Sequence, residues 1–183
     1  MSDKPSPRLI LETLLPHLRI AAGYAHQIQS RIATQPSKEQ GDNFFAAALT
    51  DANISIQNLV EIALLANFPQ IRFYGEEYES SVNTKYFRSI DLGEEGDYLV
   101  TLDPIDGTQF YLDGYANYQI IVSVVNRDDF EAVLAIYPAL NSYFYALRNQ
   151  GTFKGSLTDD LDACVPLEIK NPQPTVYLGW QMR

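Results

Sequence analysis

The residues best placed to do chemistry lie in the run Asp103-Pro104-Ile105-Asp106-Gly107-Thr108. Two carboxylates three residues apart can face one cation or bridge two, and the Ile105 carbonyl between them offers a further oxygen. Pro104 fixes one φ angle, while Gly107 permits a dihedral or a close approach that a side chain would block. The amides that follow Gly107 can bind an anion such as phosphate. A second pair, Glu76 and Glu77, follows Gly75. Nine of the 23 acidic residues fall between Glu76 and Asp106, a clustering that costs stability unless cations offset it. Taken singly, Asp-Pro and Asp-Gly are ordinary turn chemistry and Glu-Glu is ordinary solvated surface. The pattern becomes specific because each acidic group directly follows a strand-like run.

The elements that must position these groups are legible around them. Apolar residues at Leu11, Leu14, Leu15, Leu18, Ala22, Ala25, Ile28 and Ile32 predict a long amphipathic helix from Ser6-Pro7 to about Ala33, with a kink or late start near Pro16. The polar stretch Thr34 to Asp42 reads as a loop. A second helix is predicted from Thr50-Asp51 to Pro69, with Ile56, Leu59, Val60, Ala63 and Leu64 on one face. The period then changes. Ile71–Tyr74, Tyr98–Leu102, Tyr118–Val125, Glu131–Tyr137 and Tyr143–Leu147 are β-branched or aromatic runs that predict strands of one sheet. Turn-like connectors make the segment from Tyr118 to Gly155 an antiparallel meander. If the strands before Glu76 and Asp103 are parallel neighbours, Glu76, Asp103 and Asp106 converge at one sheet edge. Cys164–Ile169 and Thr175–Trp180 also read as strands. Helices followed by strands give α+β order rather than βαβ alternation.

Composition limits what the chain can be. It has 183 residues, 46% of them hydrophobic, and a formal net charge of −10, which fits one folded domain and repels a phosphate backbone, so nucleic acid is not an expected partner. No stretch approaches the length of a membrane span, and the start at Met1 lacks the order of a secretory signal, so a cytoplasmic location is expected. One cysteine and two histidines exclude an internal disulfide and a zinc cluster. Oxygen ligands alone suit a hard cation such as Mg²⁺ or Mn²⁺. His17 and His26 fall on opposite faces of the first helix. Cys164 is expected as a buried strand residue, and Tyr111, Tyr115, Tyr118, Tyr143 and Tyr145 as packing or contact aromatics.

Tyr74-Gly75-Glu76-Glu77, Leu102-Asp103-Pro104-Ile105-Asp106-Gly107-Thr108 and Leu49-Thr50-Asp51, in this context from about Leu9 to Gly155, resemble the inositol monophosphatase family of Mg²⁺-dependent, lithium-sensitive phosphatases. Gly151 to Gly155 is weakly similar to a glycine-bounded turn of that family. The resemblance implies a layered αβαβα sugar-phosphatase sandwich, of which residues 1–183 form one N-terminal unit with the helix pair and a mainly antiparallel sheet. It implies that Glu76, Asp103 and the Ile105 carbonyl bind one metal, and Asp103 and Asp106 a second. Asp51 and Thr108 match the pair that orients and deprotonates the attacking water, Gly107 and Thr108 amides would hold the phosphate, and a homodimer is typical. The implied reaction is hydrolysis of a small phosphorylated polyol, sugar or related metabolite, using two or three Mg²⁺ ions.

Three departures from the family pattern stand out. Gln109 replaces a threonine. The span from Glu77 to Asp103 is long, and its acidic piece Asp91 to Asp97 reads as a lid or added loop. A Trp-Asp motif that completes the second metal site has no counterpart, since Gln181 follows Trp180. The expectation is therefore a fragment of a longer enzyme, lacking the family's C-terminal αβ unit. The alternative is a short homologue, or a non-catalytic metal-binding half, that relies on a partner subunit. A haloacid-dehalogenase-like phosphatase also ends a strand in aspartates, but those lie two residues apart and one acts as nucleophile.

Overall fold

Ser6 opens the first helix through its side chain, whose hydroxyl accepts a hydrogen bond from the Leu9 amide at 3.1 Å. Pro7, which has no N–H to leave orphaned, takes the first helical position. The computed structural model describes residues 4–33, 42–77, 98–168 and 170, and in it helix α1 spans Pro7–Ala33 without interruption. The late start predicted at Pro16 does not occur. Pro16 and Glu12 are both exposed, so the Glu12 carbonyl that the proline leaves free faces water, which can satisfy it. Ile10, Leu11, Leu14, Leu18, Ala21 and Ala25 form the buried stripe.

Helix α2 spans Asp42–Asn67, eight residues ahead of the start predicted at Thr50. The run Phe44-Phe45-Ala46-Ala47-Ala48-Leu49 contains no glycine or proline and three of the strongest helix formers, so Thr50 and Asp51 lie within the helix and not at its cap. The loop predicted over residues 34–41 lies outside the described residues.

Among the described residues seven strands form one sheet in chain order: β1 (Arg72–Gly75), β2 (Leu99–Asp106), β3 (Gln119–Val125), β4 (Phe130–Tyr137), β5 (Ser142–Leu147), β6 (Gly151–Ser156) and β7 (Val165–Pro166). β1 pairs with β2 in parallel, and every later pair is antiparallel. The chain is thus α+β, as its order of elements predicts. Cross-strand partners Leu102↔Val122, Val122↔Leu134 and Leu134↔Tyr145 lie on the face beneath the two helices, where all are buried. α1 packs on β3 and β4, and α2 on β2. The alternate residues Ile121, Val133, Ala135, Phe144 and Ala146 point away from the helices and are half-buried.

Three expectations need correction. β2 continues through Asp103 to Asp106, where the sequence suggests a turn; the irregularity appears instead as a register shift against β3 between these two residues. Residues 151–155 belong to strand β6, because Phe153 stacks on Tyr145 across the pair with ring centroids 4.9 Å apart. Cys164 is half-buried and precedes β7, and its thiol lies 2.9 Å from the Tyr143 hydroxyl. The strand predicted at 175–180 and the lid or added loop read at 91–97 lie outside the described residues.

Candidate active site

Parallel pairing ends β1 beside the middle of β2, with Gly75 opposite Leu102. The Glu76 amide extends the ladder by donating to the Leu102 carbonyl at 3.0 Å. Glu76 therefore leaves the edge strand beside Asp103, the residue after Leu102, close enough for its carboxyl group to act on that of Asp103. Burial, then the Glu76 charge and its hydrogen bond, then the Asp106 charge push the Asp103 carboxyl up to about 7; a hydrogen bond from the Ile105 backbone opposes them. Asp103 Oδ1 is buried and has no hydrogen-bond partner among the described residues.

The rest of the motif is arranged around this pair. Asp106 accepts a hydrogen bond from the Gln119 side-chain amide, its register partner on β3. The Ile105 side chain is buried in the core, while its carbonyl accepts from the Thr108 hydroxyl at 3.3 Å. Gly107 adopts φ +85°, and a Cβ there would lie 2.6 Å from the Asn117 carbonyl oxygen. This glycine is thus required both by its dihedral and by space. Beyond it the short helix α3 runs Thr108–Leu112. α1 anchors that helix: the buried Gln29 amide donates to the Tyr111 and Tyr115 carbonyls at 3.1 and 2.8 Å, and the Tyr111 hydroxyl donates to the Ala25 carbonyl at 2.8 Å.

The fold therefore brings together Glu76, Asp103, Ile105, Asp106, Gly107 and Thr108. Asp51 stands exposed on α2, and the Thr108 hydroxyl bonds to Ile105 rather than to Asp51. Among the described residues no three His, Cys, Asp or Glu side chains are gathered closely enough to cage a metal ion by themselves. The donor set nevertheless fits a hard cation: Glu76, Asp103, Asp106 and the Ile105 carbonyl offer oxygen, one of these carboxylate oxygens is buried with no partner among the described residues, and adjacent like charges hold a carboxyl against ionisation. Gln29, Gln57 and Gln119 escape motif reading. For Gln29 and Gln57 a signal was available, because each is a polar residue at a core-facing helical position.

The inositol monophosphatase family profile matches residues 11–175. The chain belongs to the inositol monophosphatase family. This sets aside the haloacid-dehalogenase-like reading. Family relatives include the histidinol-phosphatase of Chlorobaculum parvum, 25% identical over 105 residues, which are 57% of this chain and 36% of that protein. The fructose-1,6-bisphosphatase/inositol-1-monophosphatase of Thermotoga maritima is 37% identical over 60 residues, 33% of this chain and 23% of that one. The solved structure of Mycobacterium tuberculosis SuhB shares the fold, with a TM-score of 0.59 at 16% identity, covering 82% of this chain and 49% of SuhB. This inositol monophosphatase family chain thus spans about half or less of the length of the relatives it matches.

Proposed function

We propose that residues 1–183 form one α+β unit carrying the metal and phosphate sites of a Mg²⁺-dependent phosphomonoesterase that hydrolyses a small phosphorylated polyol, sugar or related metabolite. The observation that carries this reading is the placing of Glu76, just past the end of β1, beside Asp103 on the parallel strand β2, whose Oδ1 is buried and has no hydrogen-bond partner among the described residues. Glu76, Asp103, the Ile105 carbonyl and Asp106 would hold the cations. When bound, these supply Lewis acidity to the phosphoryl group and to the attacking water.

The chain's own residues supply the rest. Asp51 and Thr108 orient the water and take its proton, and Gly107 and Thr108 present amides to the phosphate. Gln119 holds the Asp106 carboxylate in place. The same reading assigns a cytoplasmic homodimer, inhibition by lithium, and no nucleic-acid or membrane partner. The two relatives are named for different activities, so the ester itself is left at the level of its class.

A second reading, a metal-binding half that turns over only with a partner chain, is favoured by the absence of a three-carboxylate cage among the described residues. One experiment separates the two: Mg²⁺-dependent phosphate release from a panel of small phosphomonoesters, for the chain and its Asp103→Asn variant, with lithium as competitor. Lithium-sensitive turnover lost in the variant supports the phosphatase. Mg²⁺-dependent thermal stabilisation without turnover, lost in the variant, supports the half-site. Neither turnover nor stabilisation refutes both.

A further inference from the structure

Helix α2 interrupts its apolar face along one ridge. Asn53, Gln57 and Glu61 recur every fourth residue, which stacks them on one side of the helix, and all three are buried. Burying an amide without partners costs on the order of 1–3 kcal/mol. Here each of the three side chains makes a hydrogen bond, although Asn53 Oδ1 has no partner among the described residues, and the bonds lead to one place. Gln57 donates through Nε2 to Glu61 at 3.0 Å and accepts through Oε1 from the Glu77 amide at 2.9 Å, while Asn53 donates to the Glu77 carboxylate at 3.2 Å. Two successive turns of α2 thus grip Glu77, one by its backbone and one by its side chain. Gly75 completes the fit: a Cβ there would stand 2.0 Å from Gln57 Oε1, so the end of β1 rests directly on the amide.

Glu76 lies between these two contacts, and its own amide is bonded to Leu102 on the opposite side. Its backbone is clamped between α2 and β2. The same helix carries Asp51, two residues before Asn53. We propose that Gln57, assisted by Asn53, is a positioning residue for the cation site: it fixes the turn that presents Glu76 to Asp103 and so sets the affinity for a divalent cation. This rests on the proposed assignment of Glu76 and Asp103 as cation ligands.

The test is Mn²⁺ binding to the 183-residue chain, followed by loss of the free-ion electron paramagnetic resonance signal, together with exchange of the Glu77 amide in the metal-free chain. Gln57→Met keeps volume and helix propensity while removing both hydrogen bonds. Asn53→Ala removes the other tie, and Val60→Ala destabilises the same helix away from the ridge. Gln57→Met and Asn53→Ala are each expected to weaken Mn²⁺ binding about tenfold or more, the usual effect of losing a group that orients a ligand. Val60→Ala binds like the unmodified chain despite its lower melting temperature, and Glu77 exchanges faster only in the ridge variants. Unchanged affinity in both ridge variants, with binding abolished by Asp103→Asn, overturns the positioning role and leaves the proposed function standing. Identical binding by every variant, Asp103→Asn included, overturns the ligand assignment and the positioning role together. Should Gln57→Met fail to fold, Asn53→Ala decides.

Discussion

Asp103 meets two demands that pull against each other. Packing within β2, between β1 and β3, desolvates it, and neighbouring carboxylates repel its charge, so the metal-free chain stores unfavourable electrostatic energy at this position. Removing the charge should relieve it. Asp103→Asn is expected to raise the stability of the metal-free chain by about 1 kcal/mol, a figure discounted for solvent screening, and to remove any stabilisation by Mg²⁺. Thermal melts with and without Mg²⁺ check both, and a variant less stable than the parent without metal would contradict desolvation and repulsion as the cause. Gly107 makes the opposite case. Its φ of +85° and the 2.6 Å approach of the Asn117 carbonyl leave no room for a methyl group, so Gly107→Ala is expected to cost about 1–3 kcal/mol in urea unfolding.

Between elements, the joint that matters is where α1 meets α3. Gln29 satisfies two carbonyls at the far end of the short helix that begins at Thr108, so α3 is held at its C-terminal end by a residue from the first helix. Gln29→Leu keeps the bulk, removes both hydrogen bonds, leaves the Tyr111 carbonyl only its bond from the Gly114 amide, and is expected to destabilise by about 1–3 kcal/mol. If Thr108 acts on the attacking water and its amide on the phosphate, the variant should also lose turnover, because the shift moves a residue of the site. Stability loss with unchanged turnover would confine Gln29 to packing. This joint shows where sequence reading stops. The periodicity of Leu11, Leu14, Leu18 and Ala25 reports which face of α1 is buried, and the β-branched runs report strands, because both patterns are written locally. The pairing of β1 with β2, on which the meeting of Glu76 and Asp103 depends, enters the sequence reading only as a condition, since the intervening residues carry no mark of parallel register. Gln57 and Gln29 read as interruptions of an apolar face. Apart from the Glu61 carboxylate, their partners, the Glu77 amide and the Tyr111 and Tyr115 carbonyls, are backbone groups that no residue type announces. The early start of α2 escapes the sequence because Thr50-Asp51 imitates a cap well enough to mask the alanine run ahead of it.

For the whole molecule, the net charge of −10 turns a local strain into a general one. Glu76, Asp103 and Asp106 gather at one end of the sheet, while arginines with assigned ion pairs are engaged elsewhere: Arg8 with Glu12 and Asp162, Arg19 with Asp160, Arg148 with Asp129 and Glu131. These pairs are largely solvated and stabilise little. Without divalent ions, folding therefore works against repulsion that monovalent salt can screen, with a screening length falling from about 30 Å at 0.01 M to about 8 Å at 0.15 M. The melting temperature of the chelator-treated chain is expected to rise by several degrees across that range. Millimolar Mg²⁺ should produce a larger rise at low salt, because a bound cation neutralises the Glu76 and Asp103 pair directly while an ion atmosphere only dilutes it. In Asp103→Asn the monovalent response should persist and the Mg²⁺ response should shrink to what screening alone gives. If Mg²⁺ and an equal ionic strength of NaCl stabilise the unmodified chain to the same extent, the acidity at this sheet end is surface charge and not a cation site.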